Sequence, residues 1–305
     1  MKIAVVGTGA LGGWYAGLLA QAGHQVHCVA RSDHAVIAGR GLMLRNKGQE
    51  TTVRVASATV DGKTAGPCDL IVVTTKSTAN AILPELLKPL LGPATLVVTL
   101  QNGMGNVEVI AQVVPFERIV AGLCFVCINR VAPGVIDTTL AGYVRMAAAR
   151  GEITPAVQTC VSLFKAAGVD TSGENSLEAV LWKKLCWNIP FNGLSIARGA
   201  ITTDIIMADP VLKERVRDLM KEVQAASFAR GHGFDDHHIQ RQLDVTIGMG
   251  PYRPSSLIDF VEGREVEVEG IWGEPLKRGL AAGVAMPLLI QLVAEIRTKI
   301  AARRS

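Results

Sequence analysis

Three polar side chains share one face of an apolar segment in the second half of the chain. In Leu181-Trp182-Lys183-Lys184-Leu185-Cys186-Trp187-Asn188-Ile189-Pro190-Phe191-Asn192-Gly193, Lys184, Asn188 and Asn192 stand at i, i+4 and i+8 of a helical pattern. Successive members lie about 6 Å apart along a helix axis. A lysine and two amides on an apolar helix are costly unless they find partners or line a cavity. Burial would depress a lysine pKa and suit it to proton transfer near neutral pH. The competing reading is a solvated stripe in which Lys183 and Lys184 snorkel along apolar surface. Pro190, between the two amides, removes a helix hydrogen bond and predicts a kink.

A second constellation opens the chain. The apolar run 2–6 leads into Gly7-Thr8-Gly9-Ala10-Leu11-Gly12, a G-x-G-x-x-G between an expected strand and an expected helix, 11–22. Gly7 permits a tight turn, Gly9 lets a pyrophosphate approach the backbone, and Gly12 lets helix and strand pack closely. The amides of the helix start, with Thr8, Ala10 and Leu11 in the turn, complete an anion cradle. A glycine-rich turn of some other α/β fold is the competing reading. After the second expected strand, 25–30, stands Arg31, and the first acid, Asp33, comes only in the following turn. An arginine there suits a 2′-phosphate through charge-assisted pairing, which predicts NADP over NAD.

Two further residues fall at the carboxyl ends of expected strands, where ligands of open α/β sheets collect. Lys76 follows the run 68–75, and Asn102 follows the strand 94–100 within Gln101-Asn102-Gly103-Met104-Gly105. Lys76 could reach the cofactor or face water at a helix start. The Asn102 amide can both donate and accept, which suits a nicotinamide ribose or a substrate oxygen. An antiparallel pair is expected around Asn46-Lys47-Gly48, a helix over 79–91, strands over 119–128, 134–139 and 142–148, a helix over 153–167, and a segment closing the first domain over 168–173. From residue 175 the strand–helix alternation stops, and helices are expected over 176–193, 210–230, 235–248, 271–282 and 287–303. The expected fold is α/β: a Rossmann-type dinucleotide-binding domain over 1–173, then an all-α C-terminal substrate and catalytic domain over 174–305.

The totals agree with this division. A chain of 305 residues, 49% hydrophobic and 19% charged, is foldable and long enough for two domains. A net charge of +4 without a long basic block argues against a nucleic-acid partner. No apolar stretch approaches a membrane span and no leader pattern opens the chain, so no membrane partner and a cytoplasmic location are expected. The six cysteines lie scattered in apolar surroundings and read as reduced thiols, Cys124 and Cys127 included. His232, His237 and His238 beside Asp235 and Asp236 read as a capped helix start, so no metal is expected.

Several ordered motifs resemble the ketopantoate reductase family. They are Lys2–Val6 with the glycine turn, Arg31, V-V-T-T-K ending at Lys76, and Q-N-G-M-G at 101–105. L-W-K-K-L at 181–185 with Asn188 and Asn192 follows, then the acidic segment 262–273 and Gly283-Val284-Ala285-Met286-Pro287. The resemblance implies NADPH-dependent reduction of 2-dehydropantoate to pantoate in pantothenate biosynthesis, with Lys184 as general acid. It implies that Glu267 holds the substrate hydroxyl, with Glu265 and Glu269 as alternatives, and that Asn102, Asn188, Asn192 and Ser255 or Ser256 contact substrate or cofactor. The small-molecule partner is then a 2-oxo acid. Pro190 motivates another branched 2-oxo acid as substrate, and a non-catalytic NADP-binding sensor is the alternative from a different class. A homodimer is one assembly the sequence allows.

Overall fold

The computed structural model describes residues 1–304. Its contacts form two units, one of residues 1–101 and 106–177, the other of 102–105 and 178 onward.

The first unit runs β1 (Lys2–Val6), α1 (Ala10–Gln21), β2 (Gln25–Val29), α2 (His34–Arg40), β3 (Leu42–Asn46), β4 (Gln49–Val53), β5 (Ser57–Thr59), β6 (Leu70–Val73), α3 (Leu83–Leu87), β7 (Leu96–Thr99), α4 (Asn106–Ile110), β8 (Ile119–Ala132), β9 (Val135–Ala148), α5 (Pro155–Ala166) and β10 (Thr171–Glu174). All the strands join one sheet, in the order β4-β3-β9-β8-β7-β6-β1-β2-β5 with β10 beside β9. The six strands from β5 to β8 pair in parallel throughout. Counted among themselves they follow the doubly wound order 3-2-1-4-5-6. β1 and β6 are near-continuous apolar runs, as strands covered on both faces must be.

Beyond β8 the sheet turns antiparallel to β9, continues parallel to β3 and ends on β4. This extension closes over α1, whose glycines permit the approach. A Cβ on Gly13 would lie 2.7 Å from Ile136 Cδ1, and one on Gly17 2.6 Å from Leu44 Cδ1. A helix so covered is apolar nearly all round, as the sequence ALGGWYAGLLAQ is.

Local differences from expectation have local causes. The helix expected over 79–91 is only α3, flanked by short 3-10 turns, and Pro89 lacks the N–H that would extend it past Leu87. The strands expected over 134–139 and 142–148 are one strand, irregular in register opposite Phe125–Ile128. The segment 168–173, expected to close the first domain, leads into β10, parallel to β9.

The second unit is helical: α6 (Leu177–Ala197), α7 (Thr203–Ala208), α8 (Pro210–Ala229), α9 (Asp236–Gly248), α10 (Ser255–Val261), α11 (Glu274–Ala281) and α12 (Pro287–Arg304). Trp182, Phe191, Leu219, Trp272, Leu289 and Leu292 centre its core. The Asp209 carboxylate caps α8 and that of Asp235 caps α9, while Glu222 of α8 accepts from the Leu288 and Leu289 amides at the start of α12. α6 is one helix from Leu177 to Ala197 with Pro190 inside it. Trp272 Nε1 donates to the Ile189 carbonyl at 2.9 Å, and Gly193 gives the indole room. The helix expected from residue 271 begins instead with a π turn, Glu269–Gly273, ahead of α11.

Candidate active site

The first candidate site lies in the sheet unit, at the carboxyl ends of β1 and β6. The strand order reverses there, because β1 pairs with β2 on one side and β6 on the other. Gly7, at φ +94°, packs so closely that its Cβ would fall 2.5 Å from the Thr75 amide nitrogen. Thr74 Oγ1 donates to the Val6 and Gly7 carbonyls at 3.2 and 3.0 Å. A Cβ on Gly12 would overlap Thr74 Oγ1. Gly9 differs, because the nearest atom to its Cβ would be the Gly7 carbonyl oxygen at 4.0 Å. Packing within the chain does not require that glycine, whereas a pyrophosphate close to the backbone does. Gly9 also starts α1 without a capping side chain, leaving the first-turn amides of Ala10, Leu11 and Gly12 for an anion. These residues therefore fit a dinucleotide. Thr8 faces inward, its amide and hydroxyl both bonded to the Val29 carbonyl at 3.2 Å.

Arg31 is exposed after β2 and Lys76 is half-buried after β6. Asp33 is buried, and its carboxylate accepts from Arg130 Nη1 at 2.7 Å, Ser32 Oγ at 2.7 Å and the Gly134 amide at 3.0 Å. Burial alone would raise its pKa. The hydrogen bonds from Ser32, Arg130 and Gly134 and the Arg130 charge outweigh it and hold the carboxyl below its ordinary value.

Sequence reasoning missed a chain of amides beside this site. Gln101 Nε2 donates to Thr75 Oγ1 at 3.2 Å and to Asn80 Oδ1 at 2.9 Å, and Asn80 Nδ2 donates to Asn106 Oδ1 at 2.9 Å. Isolated Gln and Asn residues carry no periodic signal. Only the position of Gln101 at a strand end pointed to it.

The second candidate site belongs to the helical unit. Lys184 Nζ donates to Asn102 Oδ1 at 2.6 Å. Two backbone contacts hold the segment that carries Asn102. The Met104 amide donates to the Gly270 carbonyl at 2.8 Å, and Gly103, at φ +80°, sits where a Cβ would overlap that carbonyl. Gly270 lies in the π turn, a distortion common at functional sites. Just before that turn Glu267 is buried, while Glu265 and Glu269 are exposed and Glu269 pairs with Arg297. Burial thus separates Glu267 from its two alternatives.

Asn188 and Asn192 are both buried on α6. Asn192 Oδ1 accepts from the Ser256 amide at 2.9 Å, at the start of α10. Ser256 is buried and Ser255 exposed. Two supports of α6 were not foreseen. Near its start Glu178 accepts from Arg230 Nε and Nη2 at 2.8 and 2.7 Å and from Arg278 Nη1 at 3.3 Å. Burial would raise that carboxyl, but Arg230, Arg278 and His232 hold it below its ordinary value. Farther along, His238 Nε2 lies 3.1 Å from the Lys183 carbonyl. Burial lowers the His238 pKa, with the Lys183 hydrogen bond opposing it.

Strand order, switch point and glycine cradle together define a dinucleotide-binding oxidoreductase fold. The ketopantoate reductase PanE/ApbA family matches residues 3–151, and its C-terminal counterpart matches residues 176–300. The 2-dehydropantoate 2-reductase of Nostoc sp. is 40% identical over 292 residues, covering 94% of this chain and 91% of that protein. The crystal structure of 2-dehydropantoate 2-reductase from Geobacter metallireducens superposes with a TM-score of 0.93 at 36% identity, covering 98% and 99% of the two chains. That of Methylococcus capsulatus gives 0.88 at 30% identity, covering 98% and 96%. The chain belongs to the ketopantoate reductase family, as its motifs lead one to expect.

Proposed function

We propose that this chain reduces 2-dehydropantoate to pantoate with NADPH, and that Lys184 is the general acid. The observation that carries the proposal is the Lys184 Nζ–Asn102 Oδ1 hydrogen bond of 2.6 Å, in a chain 40% identical to a named 2-dehydropantoate 2-reductase. The glycine turn would hold the dinucleotide, whose reduced nicotinamide would supply the hydride for the ketone carbon, leaving NADP+. Lys184, as an ammonium, stabilises the oxygen that becomes negative and gives it the proton that completes the alcohol. Asn102 accepts one ammonium N–H and so fixes where the remaining ones point. Glu267 holds the substrate hydroxyl, and Asn188, Asn192, Ser255 and Ser256 hold the rest of the 2-oxo acid, Asn192 through its grip on Ser256. Arg31 takes the 2′-phosphate, and Lys76 and Asn102 assist the cofactor. The enzyme acts in the cytoplasm, with a homodimer as its assembly.

A panel of 2-oxo acids followed by NADPH consumption tests this. Ketopantoate should give the highest kcat/KM. Preference for another branched 2-oxo acid would replace the substrate. Tight NADPH binding with no consumption on any member would remove the catalytic reading.

A further inference from the structure

Asp33 is the one carboxylate among residues 25–40, around the end of β2. A carboxylate in this part of a dinucleotide fold ordinarily accepts from the ribose 2′-hydroxyl. Here it is otherwise engaged. Asp33 is the N-cap of α2, yet its side chain makes no hydrogen bond to its own helix, the usual use of Asp at that position. It reaches instead to the far end of the β8–β9 hairpin. Oδ1 takes Arg130 Nη1 and Ser32 Oγ, both at 2.7 Å, and Oδ2 takes the Gly134 amide at 3.0 Å. Its side chain is 3% exposed against 38% for Arg130. The hairpin tip has a second tether, the Met43 amide donating to the Gly134 carbonyl at 2.9 Å, so its position does not depend on the ion pair alone.

We infer that the Asp33–Arg130 pair sets dinucleotide preference, because it withdraws the one carboxylate of the segment between β2 and α2 from the adenosine ribose and neutralises its charge. Arg31 then meets a 2′-phosphate without competition from Asp33. The inference rests on the NADP reading above and assigns Asp33 and Arg130 a positioning role. An unpaired carboxylate at the same place would do the opposite, accepting from a 2′-hydroxyl and repelling a phosphate.

The test is equilibrium binding of NADP+ and of NAD+, measured calorimetrically without turnover. Wild type is measured first, and a preference for NAD+ there would sink the NADP reading itself. Arg130→Met, which leaves Asp33 charged and unpaired, should weaken NADP+ by about tenfold or more while NAD+ binds as well as before or better. Adding Asp33→Asn to that variant should bring NADP+ back to within about threefold of wild type. Asp33→Asn alone has no charge to withdraw and should also stay within about threefold. Equal losses for both dinucleotides, no loss, or a double variant that does not recover would each overturn the inference. The last outcome would mean that Arg130 meets the phosphate directly or that the tip has moved.

Discussion

Two of the chain's G-x-G turns follow strands of the sheet; they look alike in sequence and differ in what occupies the missing side chains. Gly7-Thr8-Gly9 follows β1, and Gly103-Met104-Gly105 follows β7. Gly7 and Gly103 both take positive φ, +94° and +80°, and both press against backbone, that of Thr75 and of Gly270. The second glycines part company. A Cβ on Gly105 would meet the Glu274 side chain at 3.1 Å, whereas one on Gly9 would meet nothing of the protein closer than 4.0 Å. The first turn also opens a 12-residue helix and the second one of five residues, so only the first presents a substantial helix terminus. In the first turn, then, the glycine that packing does not require is the one a pyrophosphate would need. The second turn is a packing device that delivers Asn102 to Lys184.

The division of labour breaks first, if it breaks, at Lys184. Lys184→Ala should lower kcat by about 100- to 10,000-fold. The NADP+ dissociation constant, measured by titration, should stay unchanged. A comparable loss of dinucleotide affinity would show that binding and proton transfer are not separate tasks.

Next comes the pair of glycines. Gly103→Ala combines a strained φ with backbone overlap and should cost about 3 kcal/mol of stability, read as a lowered Tm. Gly9→Ala meets open space and should cost under about 1 kcal/mol as a helix N-cap. It should nevertheless weaken NADP+ binding by about tenfold or more, since the methyl occupies the pyrophosphate's approach. Equal melting temperatures for the two variants, or unimpaired NADP+ binding by Gly9→Ala, would erase the distinction between the turns.

A smaller effect concerns Asn192. Removing its side chain with Asn192→Ala leaves the buried Ser256 amide without its acceptor, for about 1–3 kcal/mol. The KM for the 2-oxo acid should rise with it, because α10 starts at that amide. A stability loss with an unmoved KM would confine Asn192 to packing.

Much of this was legible because local signals are short. G-x-G-x-x-G and the i, i+4, i+8 spacing of Lys184, Asn188 and Asn192 are each contained within one turn or one helix. The Thr154 cap of α5 and the Asp235 cap of α9 are likewise contacts within one turn. What escaped is carried by pairs far apart in sequence. Asp33 reads as a turn residue until Arg130 and Gly134 are placed against it. Glu178, Arg230 and Arg278 show no mutual spacing. Nor does the sequence display that Trp272 bonds to the carbonyl preceding Pro190. The three glutamates near residue 267 are chemically identical in sequence, and only burial separates them.

The smallest expected effect is a pH dependence that touches the lysine's helix and not the glycine cradle. Gly7 to Gly12 contain no titratable side chain, whereas His238 sits behind Lys183 with its pKa lowered from 6.5 by burial. A histidine with a depressed folded pKa takes up its proton more readily when the chain is unfolded. Between the folded pKa and about 6.5 the unfolded state therefore binds more protons, and stability falls as pH falls through that window. Below the folded pKa both states are protonated and this contribution stops changing. His238→Gln should flatten the slope of stability against pH in that window, measured by urea unfolding at half-unit steps. It should leave NADP+ binding at pH 7.5 as it was. An unaltered slope would mean that the proton taken up on unfolding belongs to another group, His24 and His27 being the other histidines whose pKa burial lowers.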